Sequence, residues 1–262
     1  MTISSYGKTC LILCLLCFLC VSGWPSLRGQ TALGIESFTY LLEHPSERPY
    51  SSYMTRADQF YKQRDYLHAI YNFNFARELE PSISNDFLFS FKLGYSYKAI
   101  HKFDSASVHL LKASADPLMG DYALFQLAQV LSKQDSVSEA ITHLKKLLRK
   151  FPNTVFYVEA SLNLAGLLFR ENQLDAADLY VSQAAAYLND DPVMKTKYQS
   201  RILLLRGNIY VQKNNLNGAL ESFRKIQNDF RYTDEAYHAK ILSESIRRQK
   251  NTPATIDQFI DG

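Results

Sequence analysis

Cysteine is missing from most of the sequence. All four cysteines of the 262-residue chain, Cys10, Cys14, Cys17 and Cys20, lie within its first 20 residues. The rest of the chain therefore has no disulfide and no cysteine ligand for a metal. If the N-terminal segment is removed, the remaining chain suits an oxidising compartment.

Sequence signatures of catalysis are also missing. The six histidines form no metal-binding pair of the His-Glu-x-x-His type, no serine lies in a Gly-x-Ser-x-Gly turn, and the glycines are isolated. Glu78 and Glu80 flank Leu79, so they do not share a helix face as an acid pair would. We therefore expect no catalytic residue, no cofactor and no metal, and predict that the chain is not an enzyme.

A strong excess of charge of one sign is absent as well. The chain has 29 Lys and Arg against 26 Asp and Glu, a net charge of +3. Its two basic clusters, at 145–150 and 247–250, come late in predicted helices, where cations favour the negative end of the helix dipole. This distribution indicates solvated helix ends, and we expect no nucleic-acid partner.

The apolar run at 11–21 is too short to cross a bilayer comfortably. Lys8 precedes it and small residues follow it, the order found in a secretory signal peptide. We predict a signal peptide at 1–23, an N-terminal linker with a short helix at 24–49, and export to the periplasm or cell envelope. The alternative is a lipoprotein signal with Cys20 lipidated, and only then would the chain be attached to a membrane; the bulky Phe18 and Leu19 before this cysteine argue against it.

The sequence from residue 50 onward repeats itself. Five alanines recur at separations of 37, 34, 37 and 42 residues, each between two apolar residues on one helix face: Ala69, Ala106, Ala140, Ala177 and Ala219. Twelve residues before each alanine stands a small residue: Ala57, Gly94, Ala128, Ala165 and Gly207. Three residues after each of these comes a large one: Phe60, Tyr97, Leu131, Leu168 and Tyr210. Each unit is thus predicted to hold two amphipathic helices, A and B, with the small residue of A facing the alanine of B.

This layout resembles the tetratricopeptide repeat, whose period is about 34 residues. Pro81 and Pro152 stand where that repeat ends helix B. The resemblance implies an all-α fold: a right-handed superhelical solenoid of about five helix hairpins over residues 50–250. An ordinary helical bundle is the alternative, but it would not keep alanine and glycine in register.

Two further features are expected near the C-terminus. The 42-residue separation contains Asp190-Asp191-Pro192, which predicts a helix break followed by an extended helix. Residues 234–250 read as a lone helix that caps the last repeat, with Ala239 and Leu242 facing inward, or equally as the first helix of a sixth repeat. A C-terminal tail is predicted at 251–262.

A solenoid without an active site is expected to bind a partner in its concave groove, which the A helices line. In relatives that bind chaperone tails, cations in this groove hold a terminal carboxylate. The two corresponding positions of each A helix have no cation here, so that clamp is not expected. We predict instead a groove of aromatic and amide side chains with two cations alongside; for each ring the alternative is packing between neighbouring A helices. The candidate residues are Phe91, Lys92, Tyr95, Phe125, Gln129, Arg170 and Asn208.

A narrower resemblance concerns residues 121–169. This segment is similar to the helical repeats of exported bacterial proteins, namely outer-membrane assembly lipoproteins and the helical region of soluble lytic murein transglycosylases. The resemblance implies an exported scaffold or adaptor that binds another envelope protein or a peptide segment. The alternative is the non-catalytic helical arm of a transglycosylase, with peptidoglycan as its partner. Self-association through the ends of the solenoid is a third, weaker hypothesis.

Overall fold

The computed structural model describes residues 50–188 and 192–251. The expected signal peptide at 1–23 with Cys20, the linker at 24–49 and the tail from 252 onward lie outside these ranges. Contacts group the chain from Tyr53 onward into one compact unit, and the fold is described for that unit.

Within the described ranges the chain forms α-helices, one short 3-10 helix at Pro81–Asn85 and no strand. None of these helices is both long and apolar enough to cross a membrane. In chain order the helices are α1 (Tyr50–Lys62), α2 (Tyr66–Leu79), α3 (Phe87–Ala99), α4 (Phe103–Ala113), α5 (Gly120–Lys133), α6 (Val137–Lys150), α7 (Tyr157–Arg170), α8 (Leu174–Tyr187), α9 (Pro192–Gln212), α10 (Leu216–Asp229) and α11 (Asp234–Asn251).

Odd-numbered and even-numbered helices up to α10 form five hairpins, which confirms the solenoid of A and B helices. All five recurring alanines are fully buried. A Cβ added to Gly94 would lie 2.9 Å from Leu110 Cγ, and one added to Gly207 would lie 2.3 Å from Phe223 Cε1. The small residue of these A helices therefore lies against the large residue four positions after the alanine. The sequence predicted that the small residue would face the alanine of helix B, whereas in these two hairpins it faces the large residue one turn later.

The turn from helix A to helix B has the same backbone in every hairpin. One residue adopts the left-handed conformation, always five positions before the recurring alanine: Arg64, His101, Asp135, Asn172 and Asn214, with φ between 56° and 63°. The next residue donates its N–H to a carbonyl five positions earlier, as in Asp65 to Phe60 (2.9 Å) and Asn215 to Tyr210 (2.8 Å). This bond closes a Schellman-type end of helix A, and its acceptors are the large residues of the sequence repeat.

We expect Arg64→Gly to raise the free energy of unfolding by about 1 kcal/mol, because a long side chain in the left-handed region is strained and glycine is not. Asn172→Gly is the control, since asparagine tolerates this conformation and should gain less. Urea unfolding of both variants measures the difference. Equal gains at the two positions would contradict this expectation, because the strain at the turn would then not depend on whether the residue is arginine or asparagine.

The hydrophobic core is divided along the chain. One cluster joins α1, α2 and α3 around Phe73 and Leu93. A long central cluster runs from Ala106 to Ile209, and a third joins α9, α10 and α11 around Phe223. Each helix thus packs mainly on its neighbours in sequence, as in other repeat proteins.

The extended helix and the inward-facing residues of the last helix are confirmed, whereas Asp190 and Asp191 of the expected helix break lie outside the described residues. Helix α9 begins at Pro192 and is 21 residues long. Helix α11 packs on the last hairpin, with Ala239 fully buried and Leu242 against the cluster around Phe223. It therefore covers the last hairpin.

His109 introduces a pH dependence. Its ring stacks on Tyr97 with centroids 5.8 Å apart. Burial, reinforced by Arg77 and Lys112, lowers the pKa of His109 to about 4. Between an unfolded pKa near 6.5 and the folded value, the unfolded chain binds the proton and the folded chain does not, so stability falls as pH falls through this window.

We expect this histidine to account for about 1–2 kcal/mol of the stability lost between neutral pH and pH 4, after allowance for its partial exposure. His109→Gln removes the titration and should lose less stability over the same range. Urea unfolding of both proteins at several pH values measures the difference. Parallel pH profiles would show that His109 titrates normally in the folded chain.

Candidate functional site

A groove of about 750 Å³ lies across the central A helices and is the candidate functional site. Helices α5 and α7 form most of its floor, the end of α3 and the following turn form one side, and α9 contributes Arg201. Its lining residues are Lys98, His101, Phe103, Ala128, Gln129, Ser132, Lys133, Leu144, Leu162, Asn163, Gly166, Leu167, Arg170 and Arg201.

The charge of this groove has one sign. Lys98, Lys133, Arg170 and Arg201 line it, and none of its described lining residues is Asp or Glu. Glu159 lies near enough to Lys98 to interact with its charge. The groove therefore keeps an excess of positive charge and attracts anions.

Lys98 is held by neutral groups. Its ammonium donates to Oε1 of both Gln126 and Gln129. Burial lowers the pKa of Lys98, and the negative charge of Glu159 only partly opposes this shift. A partly desolvated ammonium is stabilised by an added carboxylate, so Lys98 is suited to bind one.

The other three cations are exposed on the groove. The Arg170 guanidinium donates to Asp135 at 2.8 Å, with 54% and 82% of the two side chains exposed, so this pair contributes at most about 1 kcal/mol. Lys133 and Arg201 form no ion pair with any residue in 50–188 or 192–251. A ligand would thus meet three cations that the fold does not neutralise strongly.

The floor between the cations is apolar. Ala128, Leu162 and Leu167 are buried there. Gly166 also lines the groove, and a Cβ added to it would have no heavy atom of the described residues within 4 Å apart from its chain neighbours and the adjacent backbone of α7. The groove therefore combines a smooth apolar surface with charged rims.

An aromatic cluster adjoins the groove. The rings of Tyr61, Tyr66 and Tyr95 lie 5.9–6.0 Å from one another in edge contacts. Burial, together with the neighbouring Tyr95, Tyr66 and Asp58, raises the pKa of Tyr61 to about 12, so its hydroxyl stays protonated. The Lys98 ammonium lies 5.9 Å from the Tyr95 centroid and links this cluster to the groove.

The structure brings together only some of the residues predicted for the groove. Gln129 and Arg170 both line it. Tyr95 belongs to the adjoining aromatic cluster, and Phe91 lies beside it with ring centroids 6.1 Å apart. The Lys92 ammonium pairs with Asp58 at 2.7 Å, which ties α3 to α1.

Two predicted groove residues lie elsewhere. Phe125 is only 3% exposed and stacks on Phe156 with centroids 4.4 Å apart, so it packs in the core, as the alternative stated for each ring expects. Asn208 is half-buried on α9 and is not among the residues that line the groove.

Lys98, Lys133, Asn163 and Arg201 were not predicted from the sequence, which indicated a groove of aromatic and amide groups with only Lys92 and Arg170 as cations. The signal was in the repeat register: Lys133 and Arg170 each follow the small residue of helix A by five positions. The position five residues after the small residue is not one of the two positions of helix A that correspond to a carboxylate clamp. Lys98, Lys133 and Arg170 enter the groove from the last turn of their A helices, whereas Arg201 enters from the middle of α9.

In the described part of the chain, no three His, Cys, Asp or Glu side chains meet as a metal site. The groove offers ammonium, guanidinium, amide and apolar groups. This set binds anionic and peptide groups by hydrogen bonds and charge.

Comparisons with known proteins agree with the repeat architecture. Residues 131–200 and 200–228 match two family models, both described as tetratricopeptide repeat. No protein of curated function is significantly similar to the chain in sequence.

Several solved structures share the fold. YrrB, described as a TPR protein with an unusual peptide-binding site, is 22% identical with a TM-score of 0.60, over 78% of this chain and 97% of its own. PilF of Pseudomonas aeruginosa is 18% identical with a TM-score of 0.55, over 82% and 90%. A tetratricopeptide repeat protein from Parabacteroides merdae is 14% identical with a TM-score of 0.64, over 76% and 73%. At these identities the similarity establishes the fold.

Proposed function

We propose that this chain, a tetratricopeptide-repeat protein and hence an interaction scaffold rather than an enzyme, binds an acidic segment of a partner protein in its central groove. The observation that carries this proposal is the set of four cations with no carboxylate among the described lining residues. Opposite charge steers and orients such a partner, and the apolar floor accommodates its non-polar side chains. The peptide-binding site named for YrrB, a protein of the same fold, supports a peptide ligand.

The charge of the groove selects among partners. A basic segment would be repelled by Lys133, Arg170 and Arg201, whereas an acidic segment could pair with each of them. Because these side chains are exposed, their attraction is screened by salt. The proposed binding is therefore both charge-selective and salt-sensitive.

A defined peptide tests this function. The probe is a fluorescein-labelled peptide of alternating glutamate and alanine about ten residues long, which is about 33 Å when extended. We expect fluorescence anisotropy to show binding that weakens about tenfold between about 50 mM and about 300 mM NaCl. The same peptide with lysine in place of glutamate should not bind. Equal affinity for both peptides would refute recognition of acidic segments.

We also propose that the scaffold acts outside the cytoplasm, in the bacterial periplasm or cell envelope. The support is the basic start, apolar run and small residues of segment 1–23, with every cysteine inside it. Mass spectrometry of the N-terminal peptide from cells of the source bacterium should show a chain that begins at Trp24. A chain that begins at a lipidated Cys20 would place it on a membrane, and an intact N-terminus would refute export.

A further inference from the structure

Gly166 has no structural reason to be glycine. It lies in the interior of α7, where glycine stabilises a helix less than alanine does. Apart from its chain neighbours and the adjacent backbone of α7, a Cβ at this position would meet no heavy atom of the described residues within 4 Å. The fold therefore gives up helix stability at Gly166 without gaining a packing contact.

The other glycines inside A helices differ in this respect. Gly94 contacts Leu110 and Gly207 contacts Phe223, and in each case the lack of a side chain lets helix B approach closely. Gly166 is directed into the open groove, not toward helix B. Because Gly166 has no side chain, it leaves space in the groove for a ligand.

The neighbours of Gly166 on α7 match the polar groups of a peptide. Asn163 and Arg170 lie three positions before and four positions after it, on the same helix face. Both also line the groove. A carboxamide has the donor and acceptor that pair with a peptide N–H and C=O, and a guanidinium pairs with a carboxylate.

We propose that the partner's acidic segment binds in an extended form, with its main chain against Gly166. In this arrangement the Asn163 carboxamide pairs with the main chain, and Arg170 and Lys133 bind the acidic side chains. A helical segment is excluded from this contact because its own side chains keep its main chain away from the floor. The proposal rests on the proposed function of the groove and names the form of ligand that it takes.

Gly166→Ala separates this contact from folding. The new methyl group lies in open space and improves helix propensity, so we expect the melting temperature to rise by about 1–3 °C. The same methyl group holds the ligand main chain away from the floor, and we expect the affinity for the glutamate–alanine peptide to fall about tenfold. Thr142→Ala, an exposed change on α6 outside the groove, is the matched control and should leave the affinity unchanged.

A second peptide tests the main-chain contact itself. Methylation of the peptide nitrogens of the alanines should weaken binding to the unsubstituted protein, and weaken it much less in Gly166→Ala. A more stable Gly166→Ala with unchanged affinity would overturn the main-chain contact and leave the proposed binding of acidic segments in the groove intact. A lower melting temperature would overturn it as well, because the space above Gly166 would then not be open. If the unsubstituted protein does not bind the acidic peptide, the proposed function fails first.

Discussion

Replacing Gly207 with alanine is expected to lower the free energy of unfolding by about 2–3 kcal/mol. The added Cβ would lie 2.3 Å from Cε1, 2.8 Å from Cζ and 2.9 Å from Cδ1 of Phe223. That ring is fully buried between α9 and α10, so it has no open space to move into. The small gain in helix propensity offsets only part of this overlap.

The damage should stay local, because the core is divided along the chain. Phe223 belongs to the cluster of α9, α10 and α11, which is distinct from the cluster around Phe73. Hydrogen exchange with mass spectrometry should show lost protection in α9–α11 and retained protection in α2–α4. Gly166→Ala is the same substitution inside another A helix and should not destabilise. Uniform loss of protection along the chain would show that the solenoid unfolds as one unit.

The double substitution Lys133→Glu with Arg170→Glu is expected to weaken binding of the acidic peptide at least about 100-fold, or about 3 kcal/mol. Both side chains line the groove, and each reversal replaces an attraction with a repulsion. Neither side chain is buried, so the fold should tolerate both changes. Anisotropy at low salt measures the loss.

The matched control changes the net charge by the same amount away from the groove. Lys145→Glu with Arg149→Glu alters two exposed residues of α6 that do not line it. This pair should weaken binding by less than about threefold, through long-range charge alone. Equal losses from both double variants would show that the peptide responds to overall charge and not to the groove.

Most of the fold could be predicted from the sequence because small residues are required where two helices approach closely. The register of Ala69 through Ala219 located every hairpin, and Pro192 located the start of the extended helix. The residues that adopt the left-handed conformation in the turns could not be predicted from residue type. Asn172 and Asn214 are typical of that conformation, whereas Arg64 and His101 are not, so only the shared spacing reveals them.

The groove was harder to predict from the sequence, because it depends on contacts between repeats. Phe91 and Phe125 occupy the same position of successive A helices, and the sequence treats them alike. In the structure Phe156, just before α7, stacks on Phe125 and removes it from the surface. Lys98 reaches the groove because α3 ends beside Gln126 and Gln129 of α5, which is a contact between repeats.

The most direct test of the central claim is to locate the bound peptide. A glutamate–alanine peptide with a photoreactive diazirine at its centre is irradiated on the unsubstituted protein, and the cross-linked residues are identified by mass spectrometry. The proposed groove requires cross-links on the faces of α5, α7 and α9 that carry Lys133, Asn163 and Arg201. Cross-links concentrated on α4 and α8 would contradict it.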